Sequence, residues 1–277
     1  MSTSRSTRPL LRITIALAIA TVSAPAFAIF QNGGFEQNNF TGWMVGGGTN
    51  PGLTGSPPFT GASVQITPGA AGPSAIVGAF ADPHAPALTL PRVGQYTARI
   101  NDDNSSSLVT TLRQTDTVTA ADVDTIDGLP HIRFAFAPVL QDPGHSPDEQ
   151  PYFYVVVKNL ADNSVLFEQF AYAGEPGANF LSGNGDWKYL PFQNVDAVLP
   201  ASAIGQQVEL TVVAADCSLG AHGGYVYIDG FGSAPVGGSG ASGPAQPVPA
   251  LGGLGLGLLG ALCALAAGVA ARRRRTV

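Results

Sequence analysis

Tyr152-Phe153-Tyr154-Val155-Val156-Val157-Lys158 is the stretch on which the fold is decided. Phe153, Val155 and Val157 alternate with Tyr152, Tyr154 and Lys158. A period of two sends these sets to opposite faces of an extended strand, whereas a helix would scatter them around its circumference. Working outward, the alternation recurs. Ile132, Phe134 and Phe136 alternate with Arg133 and Ala135, and Val208, Leu210 and Val212 alternate with Glu209 and Thr211. Further β-rich runs cover 96–100, 108–119, 165–172, 187–192 and 225–231, with Gly, Pro, Asn and Asp between them. Many short strands at this spacing, with no helix-length segment among them, predict an all-β antiparallel β-sandwich of jelly-roll type. Residues 46–91 are rich in Gly, Pro and Ala and weakly patterned, which predicts short strands mixed with long loops. There is no convincing internal repeat.

Both ends of the chain read as addresses. Arg5, Arg8 and Arg12 precede the apolar stretch 13–22, and Ala26-Phe27-Ala28 is a small-x-small cleavage signature. That is a signal peptide, residues 1–28, with Ala26 and Ala28 at the cleavage site and the Sec machinery as the expected exporter. At the other end, an uncharged run over 250–271 is closed by Arg272, Arg273, Arg274 and Arg275. Its length suits a transmembrane helix across roughly 30 Å of hydrocarbon, and the arginines hold the C-terminus cytoplasmic. Before it, residues 234–249 form a Gly/Ser/Pro linker. The remaining unit, residues 29–233, is the β-sandwich domain, large enough to bury a core without staples.

Without its addresses the chain keeps six of thirteen Lys/Arg and all nineteen Asp/Glu, a formal charge of −13. Such a surface repels nucleic acid and suits solubility outside the cell. Cys217 is the one thiol in the exported domain, because Cys263 falls in the apolar run, so no intrachain disulfide can form there.

The tail layout, Val248-Pro249-Ala250-Leu251 followed by an apolar helix and an Arg cluster, resembles the bacterial PEP-CTERM and IPTL-CTERM sorting tails. The motif is closer to the Ile/Val-Pro-Thr-Leu variant, although it lacks that variant's Thr. The resemblance implies recognition and removal of residues 250–277 by an exosortase-type enzyme; a permanent anchor is the alternative. Asn32-Gly33-Gly34-Phe35-Glu36, then Gly42-Trp43, resembles the opening of galactose-binding-like sandwiches, including many carbohydrate-binding modules. Such domains commonly close with a strand ending in Asp, here Tyr225-Val226-Tyr227-Ile228-Asp229. The resemblance implies adjacent first and last strands, a buried Trp43, and Glu36 and Asp229 sharing one structural Ca²⁺. The alternative is that Glu36 caps loop N–H groups while Asp229 ends a strand.

Asp142-Pro143-Gly144-His145 and the late segment 216–229, with Asp216, Cys217, His222 and Asp229, resemble a pattern in exported bacterial proteins that carry sorting tails. This implies a surface or adhesin-like sandwich and no particular reaction. Asp142, His145, Asp216, Cys217 and His222 include types that bind zinc or pair as Cys/His nucleophiles. No Cys-x-x-Cys or His-x-x-x-His spacing occurs, however, and the flanking Pro-Gly and Gly-Gly suggest turns whose polar side chains satisfy backbone groups.

The Gly-x-Ser-x-Gly elbow, the His-Glu-x-x-His helix and the Walker loop are missing. Residues 101–104, Asn-Asp-Asp-Asn, read as a solvated hairpin loop rather than an acid pair. Trp187, at a strand start, is the candidate sugar-facing aromatic, while the Tyr152/Tyr154 and Tyr225/Tyr227 stripes read as packing. The leading expectation is a non-enzymatic exported cell-surface or matrix protein, carbohydrate-binding or adhesive, with extracellular polysaccharide as partner. A polysaccharide hydrolase or lyase is the second.

Overall fold

The computed structural model describes residues 29–104 and 106–232; the predicted signal peptide, linker and tail lie outside them. The strands are β1 (Met44–Thr49), β2 (Thr67–Pro68), β3 (Ala75–Val77), β4 (Thr97–Ile100), β5 (Leu108–Thr117), β6 (His131–Gln141) and β7 (Tyr152–Asn159). They continue with β8 (Val165–Tyr172), β9 (Leu181–Ser182), β10 (Trp187–Tyr189), β11 (Gln193–Val198), β12 (Gln207–Ala215) and β13 (Gly224–Gly232). One sheet has the order β2-β1-β5-β12-β7-β8. The other has the order β3-β4-β13-β6-β10-β9, with β11 also on β6. Among the described residues every helical element is a single 3-10 turn, and none is long and apolar enough to cross a membrane.

The alternation governs the packing. Phe153, Val155 and Val157 of β7 and Leu210 and Val212 of β12 meet Phe134 and Phe136 of β6 and Ile228 of β13 between the sheets. Phe136 and Phe153 touch across the interface with centroids 5.8 Å apart. Burying side chains of this size contributes about 1.5–3 kcal/mol each. The first and last segments also meet, because Phe30, Phe35 and the buried Trp43 surround Phe231 of β13. Both outer faces carry smaller clusters. Segment 85–90 covers Trp187, Tyr189, Tyr225 and Tyr227, and Leu53 and Phe59 cover Tyr152, Tyr172 and Val213.

Three local expectations change. The run 187–192 is broken: β10 stops at Tyr189, ahead of Pro191, whose missing N–H cannot join a ladder. The chain resumes as β11, so β10 pairs with Val139–Gln141 and β11 with His131–Phe136 along the same edge of β6. Strand β1 escapes the pattern because its centre is Gly46-Gly47-Gly48. Glycine is required there, since a Cβ on Gly47 would stand 2.1 Å from the Val109 carbonyl oxygen. Residues 101–104 are only half solvated, with Asp103 and Asn104 exposed. Asn101 is 0 % exposed and Asp102 6 %. The Asn101 amide donates to Asp216 and to the Gly224 carbonyl, tying the crossover between the sheets to the start of β13.

Candidate functional site

The outer face of the six-stranded sheet is only half covered. In the antiparallel register Tyr154 stands opposite Val213, Val156 opposite Thr211 and Lys158 opposite Glu209. On the other side of β12, Arg113 opposes Thr211 and Thr115 opposes Glu209. Directly opposed residues share a face, so these side chains form rows across β5, β12 and β7. A groove of about 200 Å³ runs over them, lined by Tyr154, Val156, Lys158, Glu209, Thr211 and Val213, with Gly61 and Val64 as its wall. Gly61 lies so close to the Tyr154 ring that a Cβ there would fall 2.2 Å from the ring edge.

The groove mixes one apolar floor with convergent polar groups. The Tyr154 hydroxyl donates to Glu168 at 3.2 Å. Burial first, then the Glu168 charge, push the phenol up to about 12, so it stays a neutral donor. Glu209 accepts from the Thr115 hydroxyl at 3.2 Å and lies 3.8 Å from the Arg113 guanidinium. An aromatic edge, two hydroxyls, an ammonium and a carboxylate on one rigid sheet can bind a hydroxyl-rich molecule, apolar on its faces and polar at its rim.

Trp187 does not serve that purpose. It is 6 % exposed, stacked on His84 at 4.0 Å and packed against Tyr225. The reason is Asp82, whose buried carboxylate accepts from the hydroxyls of Tyr225 and Tyr227 and from the His84 and Ala85 N–H groups. That network pins the 82–85 segment over the sheet and closes off the indole.

Glu36 and Asp229 do converge, on the loop before β4. Glu36 accepts from the Gln95 and Tyr96 N–H groups. Asp229 accepts from Val93 and Gly230. Burial raises the Asp229 carboxyl to about 7 against those N–H bonds, with the Glu36 charge adding to the rise. Calcium needs carbonyl and carboxylate oxygens converging from several sides, while the loop here presents N–H donors to the same oxygens. The pair therefore acts as a clamp on the loop, a different arrangement from the expected shared ion.

At one end of the sandwich the β6–β7 and β12–β13 loops bring together His145, Cys217 and His222, with one potential ligand atom from each within 4.8 Å of the others. Cys217 is buried, and its Sγ lies 3.5 Å from His222 Nδ1. Burial and the neighbouring His145 hold the His222 imidazole below its usual range, partly offset by Asp186. Asp142 stands apart, accepting from the Gln150 amide and the Gly144 N–H. Asp216 organises the loop from beneath. Burial lifts it to about 6, while the Leu108, Ser106 and Gly224 N–H groups and the Asn101 amide hold it down.

No family model and no curated protein matches the chain. Among solved structures, similarity is found to CBM27-1 of Caldicellulosiruptor saccharolyticus in complex with mannohexaose, at 13% identity and TM-score 0.30, over 55% of this chain and 79% of that one. A second is TmCBM27, a mannan-recognising carbohydrate-binding module, at 10% identity and TM-score 0.29, over 57% and 86%. A third is the K2 cleaved adhesin domain of Lys-gingipain, at 11% identity and TM-score 0.29, over 57% and 79%. These values are too low to transfer a ligand or a residue's role.

Proposed function

We propose that this is an exported, non-enzymatic surface or matrix protein whose sandwich binds a neutral extracellular polysaccharide along the Tyr154 groove. The observation that carries the reading is the groove itself: a half-buried tyrosine flanked by Lys158, Glu209 and Thr211 on the outer face of the six-stranded sheet. Neutral ligands are favoured because Lys158 and Glu209 offset each other locally while the domain's −13 charge repels polyanions. Export by the Sec route, temporary anchoring through 250–271 and removal of the tail by an exosortase-type enzyme complete the reading; they rest on the residues of the two ends.

A glycan array combined with a reducing-sugar release assay tests it. Binding without release is the expected result. Release of reducing ends would move the protein to the hydrolases or lyases, and neither binding nor release would leave an adhesive or structural role.

A further inference from the structure

The cluster at the end of the sandwich has no part in the groove, and turn geometry alone does not account for it. His145 belongs to the loop after β6, whereas Cys217 and His222 belong to the loop after β12, yet their side chains converge. The Nδ1 atom of His145 is buried and, among the described residues, has no hydrogen-bond partner. Its ring meets the His222 ring edge-on, with centroids 4.9 Å apart. A buried polar atom left without a partner costs free energy and asks for an explanation. An ion supplied by the medium is one.

The distances suit a particular kind of ion. A tetrahedral zinc site, with Zn–S about 2.3 Å and Zn–N about 2.0–2.1 Å, has an S···N edge of about 3.6 Å. The Cys217 Sγ to His222 Nδ1 distance is 3.5 Å. The remaining separations lie within 4.8 Å, and binding of the ion requires the half-buried imidazoles to rotate toward it. The sulfur also accepts the Ala221 N–H at 3.4 Å, the sort of bond that steadies a coordinated thiolate.

The scaffold beneath is rigid. The Cys217 N–H donates to the His222 carbonyl, closing the loop on itself. Gln141 at the end of β6 bonds Gly223 through both its backbone and its amide oxygen, and the Ser218 N–H donates to Glu149. The two loops that supply the ligands are thus cross-tied before any ion arrives, which is what a pre-organised site requires.

We propose that His145, Cys217 and His222 form a binding site for a divalent zinc-type ion, with three protein ligands and a fourth position open to water or an external donor. One sulfur with two imidazole nitrogens selects zinc over calcium or magnesium, which take oxygen.

The test uses the full-length protein carrying Cys263→Ala, so that Cys217 is the only thiol. After exposure to zinc and dialysis, elemental analysis should find one equivalent per chain, and zinc should slow alkylation of Cys217. Cobalt in its place should give a thiolate-to-cobalt charge-transfer band in the near ultraviolet. Cys217→Ala should abolish that band. His145→Gln should weaken zinc binding, read by competition with a chromophoric chelator, by at least the ~10–100-fold that loss of even an outer-shell partner costs. If a variant fails to fold, the cobalt spectrum of the parent decides. Absence of the band from a folded parent, or equal zinc affinity in folded His145→Gln, overturns the proposal. Glycan binding through Tyr154 is a separate property, so either idea can fail alone.

Discussion

Gly61 owes its identity to Tyr154. A methyl group there would fall 2.2–2.6 Å from the far end of the ring and its hydroxyl, and that end of a side chain can swing aside at modest cost. Gly61→Ala is therefore expected to tilt the ring away from Glu168 and lower glycan affinity severalfold, with a stability loss of no more than about 1 kcal/mol. Titration calorimetry paired with urea unfolding separates the two effects. Glu36 and Asp229 give a second test at this scale. Because these carboxylates already accept from loop N–H groups, a calcium chelator should leave the melting temperature unchanged in protein previously exposed to calcium. A fall of several degrees would restore the shared ion that the opening motif suggests. Trp187 shows why an aromatic residue could not be assigned from sequence. Nothing local announces that Asp82, more than a hundred positions earlier, will hold the covering segment in place.

At the scale of strands, β6 and β11 are joined by a charged cluster as well as by their ladder. His131 hydrogen-bonds Asp196 through Nδ1 and Asp127 through Nε2, and Arg133 pairs with Asp196 and Asp124. Burial alone would lower the His131 imidazole, but its bonds to Asp196 and Asp127 outweigh burial and leave it raised above 6.5. A group raised on folding contributes stability that is fully present below its unfolded value and lost as pH climbs through the folded one. Unfolding free energy should thus decline from pH 6 upward through that range, and the decline should be shallower in His131→Gln. A profile equally steep in both proteins would contradict it.

The strands that were legible are those rich in β-branched and aromatic residues, with alternation plainest in β6, β7 and β12. The runs around Phe134, Val155, Val165 and Leu210 all became strands of the central sheets. Strand β1 was hidden because its glycines have no side chains to alternate, and β11 because Val195 and Ala197 are too few to stand out among polar neighbours. The groove was not visible in the sequence. The Tyr152/Tyr154 stripe reads as packing in the sequence, and Glu209 and Thr211 join Tyr154 and Lys158 only through the β7–β12 register. Register between strands some fifty residues apart is a tertiary fact. The same holds for the meeting of His145 with Cys217 and His222, which share one loop five residues apart.

For the molecule as a whole, the proposed function joins the acidic sandwich to the export and sorting signals expected from the sequence of its two ends. If the tail is a sorting signal, the mature form should lack residues beyond roughly Pro249 in cells carrying the processing enzyme. Mass spectrometry finding an intact Arg272-to-Val277 terminus on that form would leave only a permanent anchor. A polysaccharide lying along the Tyr154 groove is tested by titrating neutral oligosaccharides that score on a glycan array into the parent and into Tyr154→Ala. Saturable binding by the parent is expected, with a loss of tenfold or more, about 1.4 kcal/mol, in a variant whose circular dichroism is unchanged. Equal affinity in the two proteins, or no binding by the parent to any neutral glycan, would contradict it.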